Sequence, residues 1–301
     1  MRRRAILALV SGAVVAPHLV LAQERTKGAR VGYLGPAPAT SFAPRVEALR
    51  AGLRELGYVE VHAGVDVIVV PSSLETAAAL TTTETVPVVF ASHADPVGVG
   101  HVATLARPGG NATGLTMLLT DITAKQMEAL KEALPNARRF GVLFAPTAPS
   151  HIPALKAAEA AARSLGVELR MAPVRAEEDF VAAFASMVQD GVDGFMVIAT
   201  PLTFSRRALL ADLAVKHRLS SVFGTKDNVR AGGLMSYAPD PNDLTRQTAA
   251  YIDKILKGAK PAELPVEQAS RYELSINLKT AVALGLTIPP NLLSRADEVI
   301  E

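Results

Sequence analysis

Short runs of β-branched and apolar residues alternate with longer segments of helical periodicity, and this alternation limits the possible folds of the chain more than any other feature. The first strand-like run is Arg30 to Leu34 (RVGYL), and the segment from Pro44 to Leu56 then repeats apolar residues at helical spacing before Gly57. Parallel strands need a long crossover, which is usually a helix. The order of elements therefore predicts an α/β protein with parallel sheets covered on both faces.

The predicted elements fall into two groups. The first group continues with strands at Val65 to Val70, Val86 to Ala91 and Ala112 to Leu115. The second group alternates helices at Thr123 to Leu134, Ile152 to Leu165, Glu177 to Gln189 and Phe204 to His217 with strands at Arg139 to Phe144, Glu168 to Pro173 and Gly194 to Ile198. A chain of 301 residues is long for one compact core. Two α/β lobes are therefore expected.

The two groups share a local sequence pattern. LRELG at 53–57, followed by GVDVIVVPSS, resembles ARSLG at 162–166, followed by GVDGFMVIATP. The segment between Gly57 and Gly64 is much shorter than its counterpart between Gly166 and Gly191, which contains a predicted strand and helix. We therefore expect the first lobe to lack one strand and most of one helix. Either the helix ending at Leu56 makes the crossover alone, or one edge of the first sheet stays uncovered.

The first 22 residues have the pattern of a secretory signal peptide. Three consecutive arginines, Arg2 to Arg4, precede an apolar run that ends in small residues near Ala22. Gly12 and Pro17 interrupt a run that is close to the lower length limit for a membrane span, so a membrane anchor is the less favoured interpretation. The arginines also fit the twin-arginine route. We expect a soluble, exported mature protein that begins at Gln23.

Composition argues against several classes of function. The formal net charge is +2 and the chain has no basic block, so no nucleic-acid partner is expected. The absence of Cys excludes disulfides and thiol catalysis. The six His residues show no spacing typical of a metal site, and no nucleophile is accompanied by a base and an orienting group. The sequence therefore predicts neither an enzyme nor a metal-binding or cofactor-binding protein.

Several longer segments resemble a known family. These are VPVVFASHADPVGVG, LARPGGNATGLT, LKEALPNARRFGVLF, AAEAAARSLGVEL, AGGLMSY, YIDKILKGAKPAELPVEQ and the C-terminal INLKTAVALGLTIPPNLLSRADEVIE. Together they resemble the exported substrate-binding proteins of ABC transporters in the tryptophan and tyrosine uptake group. The shortened segment after Tyr58 departs from that family, which normally carries an extra strand and helix there.

The resemblance implies two Rossmann-like lobes of the periplasmic binding protein type I-like fold, with a small-molecule ligand held in the cleft between them. The lobes are expected at 23–117 and 118–237, and residues 238–301 are expected to return to the first lobe and the hinge. The resemblance also implies a periplasmic protein that delivers an amino acid or similar organic acid to an ABC permease in the inner membrane, which works with its ATPase. We expect a monomer without cofactor.

The candidate ligand-binding residues lie directly after the predicted strands, because ligands of open parallel sheets bind at the carboxyl ends of the strands. Ser72 and Ser73 precede the helix-like segment LETAAAL and either receive a ligand carboxylate or only cap that helix. The resemblance implies a Ser/Thr contact in this turn. Asp95 either pairs with a ligand ammonium group or caps a helix that begins near Val97.

Six further candidates follow strand ends or the predicted loops. Phe42 and Phe204 are in loops, where an aromatic ring is available to stack on a ligand, whereas Phe90 and Phe223 are inside strand runs and are expected in the core. The remaining polar candidates are Thr116, Thr147, Thr200 and Asp227. Of these, Thr147 and Thr200 fit a helix cap better than a ligand contact, and Asp227 fits a second charge partner or a solvated turn.

Two classes of function remain open from the sequence. The first is a solute receptor that closes two lobes around its ligand. The second is a degraded or repurposed paralogue, an exported scaffold or protein-binding module that transports nothing, and the shortened first lobe is the feature that supports it.

Overall fold

The computed structural model describes residues 30–35, 43–58 and 65–301. The predicted signal peptide and Phe42 lie outside these ranges. The elements up to residue 116 are β1 (Val31–Tyr33), α1 (Ala43–Glu55), β2 (Val67–Val70), α2 (Ser73–Thr82), β3 (Val88–His93) and β4 (Ala112–Thr116).

The middle of the chain alternates helices and strands as the sequence predicts. Its elements are α3 (Leu119–Ala133), β5 (Arg139–Phe144), α4 (His151–Leu165), β6 (Glu168–Pro173), α5 (Asp179–Gln189), β7 (Gly194–Val197), α6 (Pro201–Ser205), α7 (Arg207–Lys216), β8 (Ser220–Phe223), α8 (Lys226–Arg230) and β9 (Met235–Ala238). The C-terminal part contains α9 (Pro241–Leu256), β10 (Glu267–Gln268), β11 (Glu273–Asn277), α10 (Leu278–Leu284), α11 (Pro290–Leu293) and β12 (Glu298–Ile300).

The strands form two sheets, which define two lobes. The first sheet has the order β1-β2-β3-β4-β10, and all of its described pairs are parallel. The second sheet has the order β12-β11-β9-β8-β7-β5-β6 and contains one antiparallel pair, β9 with β11. The predicted α/β class with two parallel-rich sheets is confirmed, and the antiparallel strand arises because β11 enters the second sheet from the first lobe.

Both faces of the first sheet are covered. In β2, Val67 and Val69 pack with Leu49 of α1 and with α9, whereas Val70 packs on the opposite face with Ala79 of α2. The three strand residues are fully buried. Side chains of a strand alternate between its two faces, so a continuous run of valines is the expected sequence of a strand buried on both sides.

The C-terminal segment is shared between the sheets. Helix α9 packs on α1 and β3, and β10 pairs with β4, so residues 241–268 complete the first lobe. Strands β11 and β12 then join the second sheet. The chain therefore passes between the sheets at 117–118, 239–240 and 269–272.

The shortened segment of the first lobe lies between β1 and β2, which are neighbours in the first sheet. Strands β1 and β2 are adjacent and parallel, and α1 makes the crossover between them. In the second lobe, β5 lies between β6 and β7, whereas β1 pairs with β2 alone among the residues that the structure describes. Among the described residues, α1 is the one element between β1 and β2, which agrees with the first of the two sequence alternatives, and β1 lies at the edge of the sheet.

Two predicted helices differ from the structure. The helix predicted from Phe204 to His217 is two helices, because Thr200 caps a short helix that ends before Arg206, and α7 starts anew. No helix begins near Val97, where the chain makes successive turns instead. None of the helices in the described ranges combines the length and apolarity that crossing a membrane requires.

Candidate functional site

The carboxyl ends of the parallel strands in the two lobes face each other across a cleft. Residues that follow β1 and β7 meet there: the guanidinium carbon of Arg45 in α1 is 5.3 Å from the ring centroid of Phe204 in α6. The guanidinium of Arg207 also lies over this ring, 4.8 Å from the same centroid. A guanidinium within about 6 Å of a ring centroid is attracted by the ring electrons. Phe204 thus links the lobes.

A chain of hydrogen bonds connects Ser73 to two histidines at the first-lobe wall of the cleft. The Ser73 hydroxyl is 3.1 Å from Nδ1 of His93, and Nε2 of His93 is 2.8 Å from Nδ1 of His101. The backbone N–H of Asp95 donates to the same His93 Nδ1 at 3.1 Å. This N–H identifies His93 Nδ1 as an acceptor, so Nε2 carries the proton and donates to His101.

The donor and acceptor roles in this series of hydrogen bonds determine whether Ser73 is a donor or an acceptor for a ligand. Because His93 Nδ1 has no proton, the Ser73 hydroxyl donates its single hydrogen to His93. The Ser73 oxygen also accepts the backbone N–H of Ala94 at 3.0 Å. One lone pair remains. Ser73 therefore faces the cleft as an acceptor for an N–H group, and not as a donor to a carboxylate.

The Ser73, His93 and His101 set has the order of a nucleophile, a base and an orienting group. His93, however, is fully buried, and burial together with the neighbouring His101 lowers its pKa to about 3. Burial also lowers the pKa of His101. A base with such a low pKa is a poor proton acceptor at neutral pH. The arrangement is therefore better suited to positioning Ser73 than to activating it.

Ser72 and Glu75 form a second polar pair at the start of α2. Ser72 is the N-cap of the helix, and its oxygen accepts the Leu74 N–H at 3.4 Å. Its hydroxyl donates to Oε2 of Glu75 at 2.5 Å. The spacing of Ser72 and Glu75 matches a capping box, which is the sequence signal that identifies Glu75 as part of this turn.

Asp95 follows β3 and stabilises the turn after it. Its Oδ1 accepts the backbone N–H of Gly98 at 2.8 Å, so the carboxylate caps a turn where the sequence predicted a helix. Gly98 approaches the carboxylate so closely that a Cβ at this position would overlap it. Asp95 is half-buried. The second carboxylate oxygen is left for a ligand or solvent, so the cap and a ligand contact are compatible.

The other predicted site residues have varied surroundings. Thr116 is fully buried, donates to the His93 carbonyl at 2.9 Å and accepts the Leu118 N–H at 3.2 Å, which gives it an internal role. Thr200 forms a capping box with Thr203, as its cap interpretation predicts. Thr147 is exposed before α4.

Asp227, the remaining polar candidate, is half-buried in the first turn of α8, with its carboxylate 3.8 Å from the Arg230 guanidinium. Phe90 and Phe223 are fully buried, so the prediction that both belong to the core is confirmed.

Two contacts at the second-lobe side of the cleft join residues that are distant in the sequence, and of their members only Tyr237, as a ring able to stack on a ligand, is expected from the sequence. The ammonium of Lys226 is 2.8 Å from a carboxylate oxygen of Asp240 and 3.0 Å from one of Glu273. Burial lowers the pKa of Lys226, but these two carboxylates outweigh it and raise the pKa overall. The rings of Tyr237 and Tyr272 stack with centroids 5.8 Å apart. No local motif marks these contacts, because their members come from segments that are distant in the sequence.

The described ranges contain no group of three or more His, Asp or Glu residues arranged to hold a metal ion. Ser73, Glu75 and Asp95 of the first lobe offer hydrogen-bond acceptors, and the Phe204 ring of the second lobe lies against the Arg45 guanidinium of the first. Two α/β lobes, three chain crossings and a polar cleft at the strand ends define a two-lobed binding protein of the type I periplasmic binding protein fold.

Comparison with known proteins gives the family. Residues 58–300 match the family described as ABC transporter substrate binding protein, so the chain belongs to that family.

A relative from Clostridioides difficile strain R20291, a tyrosine-binding protein, is 23% identical over 221 residues, which are 73% of this chain and 63% of the relative. The chain therefore matches less than two thirds of that relative's length.

Two solved structures are similar over nearly the whole chain. The ABC domain from Streptococcus pneumonia in complex with L-Trp is 26% identical with a TM-score of 0.82, and the match covers 90% of this chain and 100% of that one. A conserved domain protein from Vibrio cholerae is also 26% identical, with a TM-score of 0.84 and coverage of 91% and 100%.

Proposed function

We propose that the protein is the exported solute-binding component of an ABC importer and that it captures an amino acid or similar organic acid in the cleft. The observation that carries the proposal is the meeting of the two lobes at Arg45 and Phe204, above a wall of polar groups at the ends of β2 and β3. A ligand held between these surfaces stabilises the closed form through contacts with both lobes. The L-Trp complex of a relative with 26% identity supports an aromatic amino acid as the first candidate.

We propose as ligand contacts those sequence candidates that still have an unused polar atom or ring in the structure. Ser73 and Asp95 present acceptor oxygens to an ammonium group. Ser72 caps the first turn of α2 on the first-lobe side, and Phe204 contributes an aromatic ring from the opposite lobe. Thr147, Thr200 and Asp227, which follow strands of the second lobe, stay candidate contacts, and Thr116 supports the end of β3 through its hydrogen bond to the His93 carbonyl.

The same proposal covers location and partners. The leader pattern supports export to the periplasm, where the receptor acts as a monomer and delivers its ligand to an inner-membrane permease coupled to an ATPase. The low basicity of His93 supports binding without catalysis. The aromatic cleft contact and the acceptor wall are suited to holding a molecule unchanged.

A thermal-shift screen of the chain from Gln23 onward, against the twenty amino acids and common organic acids, tests this function. A receptor gains stability from ligand by mass action, by about 2.7 kcal/mol at a hundredfold excess over Kd. We expect a shift of several degrees with one ligand class and a loss of that shift in the double variant Ser73→Ala, Asp95→Ala. Unchanged affinity in the folded double variant would contradict the site assignment.

The shortened crossover of the first lobe supports a second candidate, a paralogue that no longer transports and acts as a scaffold or protein-binding module. Strand β1 is held by β2 alone among the described strands, whereas β5 in the second lobe has two neighbours. This candidate predicts a broad melting transition that no small molecule shifts. The same screen therefore separates the two functions.

A further inference from the structure

A buried carboxylate at the cleft end of α2 has an oxygen without a partner. Glu75 is 5% exposed, and its Oε2 accepts the Ser72 hydroxyl at 2.5 Å. Its Oε1 is buried and has no hydrogen-bond partner in the part of the chain that the structure describes. Buried charges in proteins are normally paired or hydrogen-bonded. Such an oxygen needs an explanation.

The position of Glu75 relates it to the ligand cleft. It is in the first turn of α2, which directly follows the carboxyl end of β2. Burial raises the pKa of Tyr33 at the end of β1 to about 12, and the Glu75 charge adds to this effect, so the carboxylate and the phenol are neighbours. Tyr33 also interacts with Arg45, the residue that reaches Phe204 of the other lobe. Glu75 is thus connected to the point where the lobes meet.

The neighbouring groups on this wall have the same hydrogen-bonding character. Ser73 directs its only hydrogen to His93 and keeps an acceptor lone pair, and Asp95 keeps one carboxylate oxygen beyond its bond to Gly98. A wall of acceptors is matched by a ligand that brings donors and positive charge. Glu75 itself repels a carboxylate or phosphate, although Arg45, which interacts with the neighbouring Tyr33, adds one positive charge to this region.

We propose that Oε1 of Glu75 is a ligand contact that accepts a hydrogen bond from a primary ammonium group. The inference rests on the proposed receptor function and names the group that binds one end of the solute. It assigns the ammonium end to the first lobe, at the ends of β1 and β2. It also predicts that a ligand without an ammonium group gains nothing from Glu75.

The test compares three related compounds by isothermal titration calorimetry with the chain from Gln23 onward. L-tryptophan has an ammonium and a carboxylate, tryptamine has the ammonium alone, and 3-indolepropionic acid has the carboxylate alone. The variant Glu75→Gln keeps the size of the side chain and can still accept from Ser72, but it removes the charge. Glu84→Gln, at an exposed position beyond α2, is the matched control.

We expect Glu75→Gln to raise the Kd of L-tryptophan or tryptamine at least tenfold and to change the Kd of 3-indolepropionic acid less than twofold. Glu84→Gln should leave all three Kd values unchanged. The melting temperature of the ligand-free variant should be equal to or above that of the wild type, because an unpartnered buried charge has been removed. A purely structural role of Glu75 would instead lower that temperature and weaken all compounds alike. That result would overturn the inference.

The outcomes separate this inference from the proposed function. If the wild type binds L-tryptophan and Glu75→Gln binds it equally well, the receptor function stands and the inference fails. If the wild type binds tryptamine but no amino acid, and Glu75→Gln weakens tryptamine binding at least tenfold, the inference stands and the amino-acid receptor fails. If only 3-indolepropionic acid binds, an organic-acid receptor stands without the ammonium contact. If none of the three compounds binds, and no amino acid binds in the thermal-shift screen, both the inference and the proposed function are overturned.

Discussion

Replacing His93 by Asn should make the protein less sensitive to acid. His93 is fully buried in the neutral form, and its pKa in the folded protein is about 3, against about 6.5 in an unfolded chain. Between these values the unfolded state binds a proton that the folded state excludes, so stability is lost as the pH falls below about 6.5. The full contribution of His93 is present only above that pH.

The size of the effect follows from the same two pKa values. Between pH 7 and pH 5, the unfolded imidazole becomes almost fully protonated while the folded one stays neutral, which costs about 2 kcal/mol for His93. His151 is 3% exposed and burial lowers its pKa to about 4, so it adds a second loss of about 2 kcal/mol over the same range. Acid should therefore remove a large part of the usual stability of a domain.

Asn is the suitable replacement because its side-chain oxygen takes the place of Nδ1. Nδ1 of His93 accepts hydrogen bonds from the Asp95 N–H and the Ser73 hydroxyl. The second buried histidine, His151, uses its Nδ1 in the same way and accepts the Ala145 N–H at 3.1 Å. Urea unfolding followed by circular dichroism at pH 7 and pH 5 gives the change in free energy of unfolding for each protein. His93→Asn should lose about 2 kcal/mol less than the wild type. A variant that keeps the whole wild-type pH dependence would refute the reasoning.

Three further changes have expected outcomes. Gly114→Ala should lower the free energy of unfolding by more than about 3 kcal/mol, measured by urea titration, because Gly114 has a φ of +145° and a Cβ there would lie 2.0 Å from the Phe90 carbonyl oxygen. Lys226→Gln should cost about 3 kcal/mol in the same assay, because it leaves the half-buried Asp240 carboxylate without an ion-pair partner among the described residues and leaves Glu273 only the exposed Arg271 guanidinium at 3.6 Å; an effect below about 1 kcal/mol would contradict the paired-charge interpretation. Arg45→Ala should weaken ligand binding about threefold in calorimetry, since one cation contact with Phe204 is worth about 0.5–1 kcal/mol; an unchanged Kd would show that this contact is absent from the bound form.

The sequence predicts most of the strands because each is a compact apolar run. Strands β5 and β6 have the predicted bounds, and β2 to β4 differ by one or two residues at their ends. Helix α3 begins at Leu119 and not at Thr123, because Leu118 adopts a left-handed backbone that no local pattern predicts. The break at Arg206 follows from the cap at Thr200, whose Thr-Pro signal is visible in the sequence and starts a short helix of its own before α7.

The chemistry of the cleft was harder to predict. The hydrogen bond between Ser73 and His93 joins residues 20 apart, and its existence depends on how α2 packs on β3. Glu75 was detectable from the capping-box spacing, but its burial depends on the neighbouring strand. The contact of Arg45 with Phe204 depends on the relative position of the lobes, which composition and periodicity do not contain.

The path of the chain between the sheets sets the order in which the lobes are able to fold. The first sheet is completed by β10, and Thr113 in β4 donates to the carbonyl of Leu264, 151 residues later. Tyr58 and Asp253 are joined by a hydrogen bond across 195 residues. Closing such long loops is slow. During synthesis the first-sheet strands up to Thr116 therefore wait for residues 241–268, whereas the strands between them belong to a sheet that can begin to form earlier.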